Sequence, residues 1–212
     1  MNIPEEAPAN CTNCPRLVTY RKENQAAEPS WFNAPVPSFG ASNARLLVVG
    51  LAPGVRGANR TGRPFTGDFA GDLLYETLNK FGFAEGTYQA RADDGLTLRD
   101  CMITNAVRCV PPKNKPVGEE IRNCRAYLQS RILGLPNLKI ILALGRIAHD
   151  SIASMYEVRK SSVTFSHGGK HIMPDGVILL DSYHCSRYNT NTRRLTTEMF
   201  EDVFHSLRSL LE

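Results

Sequence analysis

The chain has 212 residues, 42% hydrophobic and 22% charged, which excludes general disorder and suits one domain spanning residues 1–212. Its 25 basic and 21 acidic side chains leave a net charge of +4, which permits an acidic partner without demanding one. No apolar run approaches the roughly 18–20 residues that cross a bilayer, and the first ten residues carry no apolar segment, so a cytoplasmic protein away from membranes is expected.

Residues 1–44 read as an irregular segment that wraps onto the core. Pro29, Pro35 and Pro37 interrupt it, and Trp31, Phe32 and Phe39 give it apolar anchors. After it, strands and helices alternate. Arg45–Leu51 is a buried strand, and Asp72–Phe81 is a helix with Leu73, Leu74 and Leu78 on one face. Cys101–Val107 is a strand that opens on a small buried thiol. Gly118–Leu133 is a helix with Glu119 and Glu120 in its first turn, where the helix dipole favours them. Lys139–Leu144 is a strand and Ile147–Tyr156 a helix, in which His149 reads as structural. Val177–Asp181 is a strand with His171–Met173 as its hairpin partner around Pro174-Asp175-Gly176. Thr196–Leu211 is a closing amphipathic helix with His205 exposed. The pattern predicts a three-layer α/β/α fold around a mainly parallel four-stranded sheet.

In open α/β sheets, ligands bind beyond the carboxyl ends of the strands. The unusual residues fall there four times, at Gly50-Leu-Ala-Pro-Gly54, Thr104-Asn-Ala-Val107, Ala143-Leu-Gly145 and Ser182-Tyr-His-Cys-Ser186. The loop Gly54–Asp72 adds five glycines, which let backbone approach a ligand, and Arg56, Arg60 and Arg63, which suit phosphate. It matches neither a Walker loop nor a dinucleotide fingerprint. Phe65 lies among Gly, Pro and Thr and offers a face for a base; the alternative is a loop anchor. Asp68 is the only carboxylate between Gly50 and Gly71, and it also suits an N-cap. The amide of Asn105 matches a nucleobase edge. His184, at a strand end, is a better site candidate than His149 or His205.

The six cysteines are Cys11, Cys14, Cys101, Cys109, Cys124 and Cys185. Cys11-x-x-Cys14 has metal-ligand spacing. With Cys109 and Cys124 it makes a four-thiolate set for zinc or an iron–sulfur cluster, unless those two are ordinary buried thiols. A second close pair, usual in zinc sites, is missing, and that favours [4Fe–4S].

Several of these motifs resemble those of the uracil-DNA glycosylase superfamily in its family 5 version. Gly50-Leu-Ala-Pro-Gly54 with Gly57-Ala-Asn-Arg-Thr-Gly-Arg-Pro-Phe-Thr-Gly-Asp68 is similar to the first motif. Thr104–Cys109 is similar to the second block and Ser182–Arg187 to the third motif. Cys11, Cys14, Cys109 and Cys124 match the family's four iron–sulfur ligands. Ala52 stands where family 4 has an acid, and Cys185 stands where the family usually has Pro.

The resemblance implies a monomeric enzyme that hydrolyses the N-glycosidic bond of uracil, and of other deaminated bases such as hypoxanthine and xanthine, in DNA. It implies an N-terminal segment tied down by a [4Fe–4S] cluster. Asp68, His184 and Asn105 would carry the chemistry: Asp68 acts on water or sugar charge, His184 stabilises the leaving base, and Asn105 reads its edge. Phe65 would stack on the base, the backbone at Ala52 and Gly54 would hold it, and Ser186 and Arg187 would grip the DNA backbone. The rival reading is a non-catalytic iron–sulfur DNA-binding or damage-sensing protein, which needs the cysteines and arginines but not the Asp68–Asn105–His184 constellation.

Overall fold

The computed structural model describes residues 6–212. Its elements in chain order are helix α1 (Pro15–Ala27), strands β1 (Phe39–Gly40) and β2 (Leu46–Gly50), and helices α2 (Ala58–Thr61) and α3 (Phe69–Lys80). Strands β3 (Ala84–Glu85), β4 (Thr97–Leu98) and β5 (Cys101–Asn105) follow, then helix α4 (Gly118–Leu133), strand β6 (Ile140–Leu144) and helix α5 (Arg146–Met155). Strands β7 (Lys170–Ile172) and β8 (Ile178–Ser182) and helices α6 (Arg187–Asn191) and α7 (Thr197–Leu211) complete the chain.

All five residues of β2, β5 and β6 are buried, the pattern of parallel strands covered on both faces. The sheet runs β1-β5-β2-β6-β8-β7. Its four central strands are parallel, and the short edge strands β1 and β7 are antiparallel to their neighbours. The four-stranded expectation therefore describes the centre of a six-stranded sheet. The added β1 is two residues long, too short to show a period, and β3 with β4 forms a separate two-stranded ribbon. The hairpin expected around residues 174–176 is β7–β8.

Alternation along the strands feeds two cores. Leu46, Val48, Ile103, Leu142 and Leu180 pack with the apolar faces of α3 and α7. Leu47, Val49, Met102, Ile141 and Leu179 pack on the other side with α4 and α5. Cys101 opens β5 fully buried, as expected. Helix α3 begins earlier than its leucine spacing indicates, because Asp68 caps it: the carboxylate accepts from the Gly71 amide at 3.2 Å.

The N-terminal segment departs from expectation. Residues 15–27 form a 13-residue helix, where an irregular chain was expected. Pro15 fits its first turn, but its buried residues are Leu17, Arg21 and Asn24, so it has no apolar stripe to betray it. Arg21 turns inward to donate to the carbonyls of Ala9 and Cys11 at 3.2 and 2.6 Å. Residues 28–38 do wrap: the Phe32 and Asn33 amides bond to the carbonyls of Arg60 and Asn59, and the Val36 amide to that of Arg108. Among the described residues, no helix is long and apolar enough to cross a membrane.

Candidate active site

The carboxyl ends of β2, β5, β6 and β8 converge on one rim, as the topology predicts. An inner chamber of about 30 Å³ is lined by Ala52, Gly54, Phe65, Asp68, Asn105 and His184, together with Pro53, Ala58 and Ala70. It shares Ala52, Gly54, Asp68, Ala70 and His184 with a wide outer groove of about 800 Å³. Ser186 and Arg187 line the groove, so the residues expected to act on or bind DNA all lie at the rim, and the four cysteines do not.

Register explains the chamber floor. Gly50 and Asn105 are paired at the ends of β2 and β5. A side chain at Gly50 would lie 2.5 Å from both Asn105 Oδ1 and the tip of the Phe65 ring, so glycine is required for those groups to meet. Asn105 is 3% exposed, and its Oδ1 is buried with no partner. An unpaired buried amide oxygen is costly, of the order of 1–3 kcal/mol, and this one lines the chamber, where a ligand's donor could satisfy it.

Phe65 is anchored in the core as well as facing the chamber. It is 6% exposed and belongs to the core beneath α3, held at φ +53°. That left-handed backbone is uncommon for a bulky residue. It is fixed on both sides: the Tyr75 hydroxyl donates to the Pro64 carbonyl at 2.7 Å, and the Gly67 amide donates to the Tyr88 hydroxyl at 3.0 Å. The Phe65 ring stacks on His184, with centroids 5.8 Å apart and planes at 24°.

The two ionisable groups of the chamber differ. His184 Nδ1 is buried without a partner, and burial lowers the ring's pKa to about 4, so His184 is neutral at physiological pH. Asp68 is raised above the usual carboxylate range by burial, and the Gly71 amide opposes that rise. Its Oδ1 caps α3, while Oδ2 leans over the Gly54–Gly57 turn, where a side chain at Gly57 would meet it at 2.4 Å. Asp68 is thus both a helix cap and a chamber wall.

Arg56, Arg146, Arg187 and Arg194 line the groove. Three lie over aromatic rings: Arg146 on Phe165 (5.4 Å), Arg187 on Phe69 (5.4 Å) and Arg194 on Tyr183 (4.7 Å). The first residues of α3, α5 and α6 also line it, bringing helix N-termini that favour anions. Ser186 caps α6, accepting from the Asn189 amide at 3.4 Å. Arg63 is a correction. It is buried, paired with Asp94 through two bonds of 2.7 Å and packed on Phe39, Tyr75 and Tyr88, so it is not a phosphate ligand. Its charge props the loop that holds Phe65.

Apart from the rim chamber, Cys11, Cys14, Cys109 and Cys124 line one cavity of about 20 Å³. The Arg108 amide donates to Cys124 Sγ at 3.2 Å, and Asn123 Nδ2 to Cys14 Sγ at 3.8 Å. Burial pushes the Cys109 and Cys124 thiols up to about 12 and about 11, so a cation is needed to hold them as thiolates. A single tetrahedral zinc would draw the sulfurs to about 3.8 Å from one another. Among the described residues, no three of the four have sulfurs within 4.8 Å of one another. Four cysteines lining one cavity are a donor set that suits a thiolate-bound metal centre.

Comparison with known proteins agrees with this geometry. Residues 37–208 match the family model described as the uracil DNA glycosylase superfamily. The chain belongs to the uracil-DNA glycosylase superfamily. It is 45% identical to a type-5 uracil-DNA glycosylase of Thermus thermophilus, covering 94% of this chain and 93% of that protein. A type-5 uracil-DNA glycosylase of Pyrobaculum aerophilum is 39% identical over 92% of this chain and 86% of its own length. A type-4 uracil-DNA glycosylase of Sulfurisphaera tokodaii is 33% identical over 79% and 72%.

Within this superfamily member, Cys185 occupies the position after the motif histidine. It is fully buried, and its thiol donates to the Ala70 carbonyl at 3.4 Å. Burial raises its pKa, so it stays a thiol and tethers the His184 loop to the start of α3. Arg56, which suits phosphate by its sequence, lines the groove, whereas Arg146, Tyr183 and Arg194 line it without having been singled out from sequence. The signal for Arg146 was present: it follows Gly145 at a strand end, the same context that marked His184. Arg194 carried no such mark.

Proposed function

We propose that this protein is a DNA glycosylase that hydrolyses the N-glycosidic bond of uracil, and of related deaminated bases such as hypoxanthine and xanthine, acting as a monomer. The observation that carries this is the inner chamber. An unpartnered Asn105 amide oxygen, a Phe65–His184 stack and the Asp68 carboxylate meet at one end of an arginine-lined groove. The groove suits a DNA backbone, and the chamber suits a base turned out of the stack.

Bond cleavage leaves positive charge on the sugar and negative charge on the departing base. The neutral His184 ring serves as a hydrogen-bond donor to the leaving base, stabilising its charge without giving up a proton to reach that state. Asp68 Oδ2 balances the developing sugar charge or orients water; with Ala52 beside it, no neighbouring side chain competes for that role. Asn105 reads the base edge, Phe65 stacks on the base, and the backbone at Ala52 and Gly54 borders it. Ser186 and Arg187 hold the DNA backbone, aided by Arg56, Arg146 and Arg194.

Cys11, Cys14, Cys109 and Cys124 would hold a [4Fe–4S] cluster whose contribution is to cross-link the N-terminal segment to β5 and α4, since hydrolysis needs no electrons. The reading is tested on oligonucleotides that each carry one uracil, hypoxanthine or xanthine, scored for alkali-labile strand breaks. The expected result is cleavage at uracil, extending to the other deaminated bases. Tight binding with no abasic product would overturn it in favour of a damage-sensing protein.

A further inference from the structure

Beneath the His184 loop lies a second polar cluster that the glycosylase reading does not use. His149 on α5, His171 on β7 and Asp181 on β8 bring their side-chain donors within 4.8 Å of one another. The His149 and Asp181 side chains are 1% and 0% exposed, and that of His171 is 17% exposed. Hydrogen bonding restricts what this cluster can be. His149 Nε2 lies 2.7 Å from the Val163 carbonyl, which only accepts, so Nε2 carries the hydrogen. His149 Nδ1 faces Asp181 Oδ1 at 2.8 Å. Lone pairs on both atoms would repel at that distance, so a positive centre belongs between them.

A proton there would satisfy that pair and nothing more. Asp181 Oδ2 and His171 Nε2 would stay buried with no hydrogen bond, facing each other as a loose pair 3.6 Å apart. One divalent ion would engage all three residues together. In a tetrahedral zinc site with bonds near 2.0–2.1 Å, neighbouring donors lie about 3.3 Å apart, close to the His171–Asp181 separation. His149 Nδ1 would need to withdraw by about half an ångström. The Val163 carbonyl supplies what a metal-bound histidine ordinarily has, an acceptor for its other ring N–H that fixes the tautomer.

We propose that His149 Nδ1, His171 Nε2 and the Asp181 carboxylate form a structural site for a zinc-type divalent ion, separate from the cysteine set. The ion would join α5, β7 and β8 three residues before His184. It would brace the groove wall, where Phe165 packs edge-on against the His149 ring at 5.6 Å. The proposal does not depend on the glycosylase reading.

The test is zinc titration by calorimetry of chelator-dialysed protein that retains its iron, with iron assayed before and after to exclude exchange at the cysteines. His171→Ala and His171→Gln are compared with wild type, because His171 is partly exposed on an edge strand and its loss should leave the fold intact. The expected result is one equivalent of zinc in wild type, affinity weakened at least about 10–100-fold in both variants, and a thermal midpoint that zinc raises in wild type alone. No zinc uptake by wild type, or equal uptake by all three proteins, would overturn the proposal and leave a protonated His149 paired with Asp181.

Discussion

The rim and the cysteine cavity are assembled by opposite means. At the rim, Asn105 and His184 sit at or just beyond the ends of strands paired residue by residue, Gly50 with Asn105 and Leu144 with Ser182, while Phe65 and Asp68 come from the loop that opens α3. The ladder and the two cores beneath it set the geometry, so single side chains there are free to serve chemistry. At the cysteine cavity, α1 meets α4 and the end of β5 over a small cluster of Leu17, Val107, Cys109, Cys124 and Tyr127. Side-chain bonds supplement it, such as Arg16 to Glu120 at 2.7 and 2.8 Å. The apolar cluster at that junction is the smallest of the three among the described residues, so a cluster bound by the four cysteines would add most there. One region gains precision from backbone; the other, on the proposed reading, would gain stability from the cluster its cysteines would hold.

The comparison predicts that equal truncations have unequal consequences. The largest effect is expected for Cys124→Ala, which removes one of four ligands and a contact to the Arg108 amide. Loss of iron and colour, with stability lowered by about 4 kcal/mol or more, should follow. Denaturant melts with iron analysis check this, and a variant that keeps its stability without iron would show that the junction closes unaided.

At the rim, Asp68→Ala should separate two functions of one side chain. Loss of the cap costs about 1 kcal/mol of stability, and loss of an electrostatic group that acts as the bond breaks costs about 10²–10³-fold in rate. Thermal midpoint and single-turnover rate, read on one sample, check both. A stability loss with near-normal excision would leave Asp68 as a cap alone.

Arg187→Ala should act on binding rather than chemistry. Affinity for uracil-containing and undamaged duplexes should fall alike, with the salt slope smaller by about one unit. An unchanged slope in filter binding across salt concentrations would mean that Arg187 does not face phosphate.

His184 should also leave a pH dependence in stability. Burial lowers its folded pKa to about 4, against about 6.5 unfolded. As pH falls, the unfolded chain takes up the proton first, so the stabilising contribution is complete above about pH 6.5 and lost between about 6.5 and 4. The midpoint difference between wild type and His184→Ala, followed from pH 7.5 to 4, should narrow through that window. A constant difference would mean that the histidine titrates normally in the fold.

The same contrast decides what could be read from sequence. The four central strands and α3, α4, α5 and α7 were legible because each buries a regular apolar pattern in a two-sided core. The rim followed from topology, since strand ends in such sheets face one way. Helix α1 was invisible because polar Arg21 and Asn24 take two of its three buried positions. Arg63 was misassigned to phosphate because its partner Asp94 lies 31 residues away in a loop without periodicity. The stacking of Phe65 on His184 joins residues 119 positions apart, a contact set by tertiary packing alone.

On the proposed mechanism the rim acts on the breaking bond and not on the ground state of DNA binding. The most direct measurement is His184→Ala in single-turnover uracil excision, paired with its dissociation constant for the same uracil-containing duplex. The account predicts a rate lower by about 10²–10³-fold, roughly 3–4 kcal/mol, with the dissociation constant changed little. A near-normal rate, or a loss carried wholly by weakened binding, would contradict it.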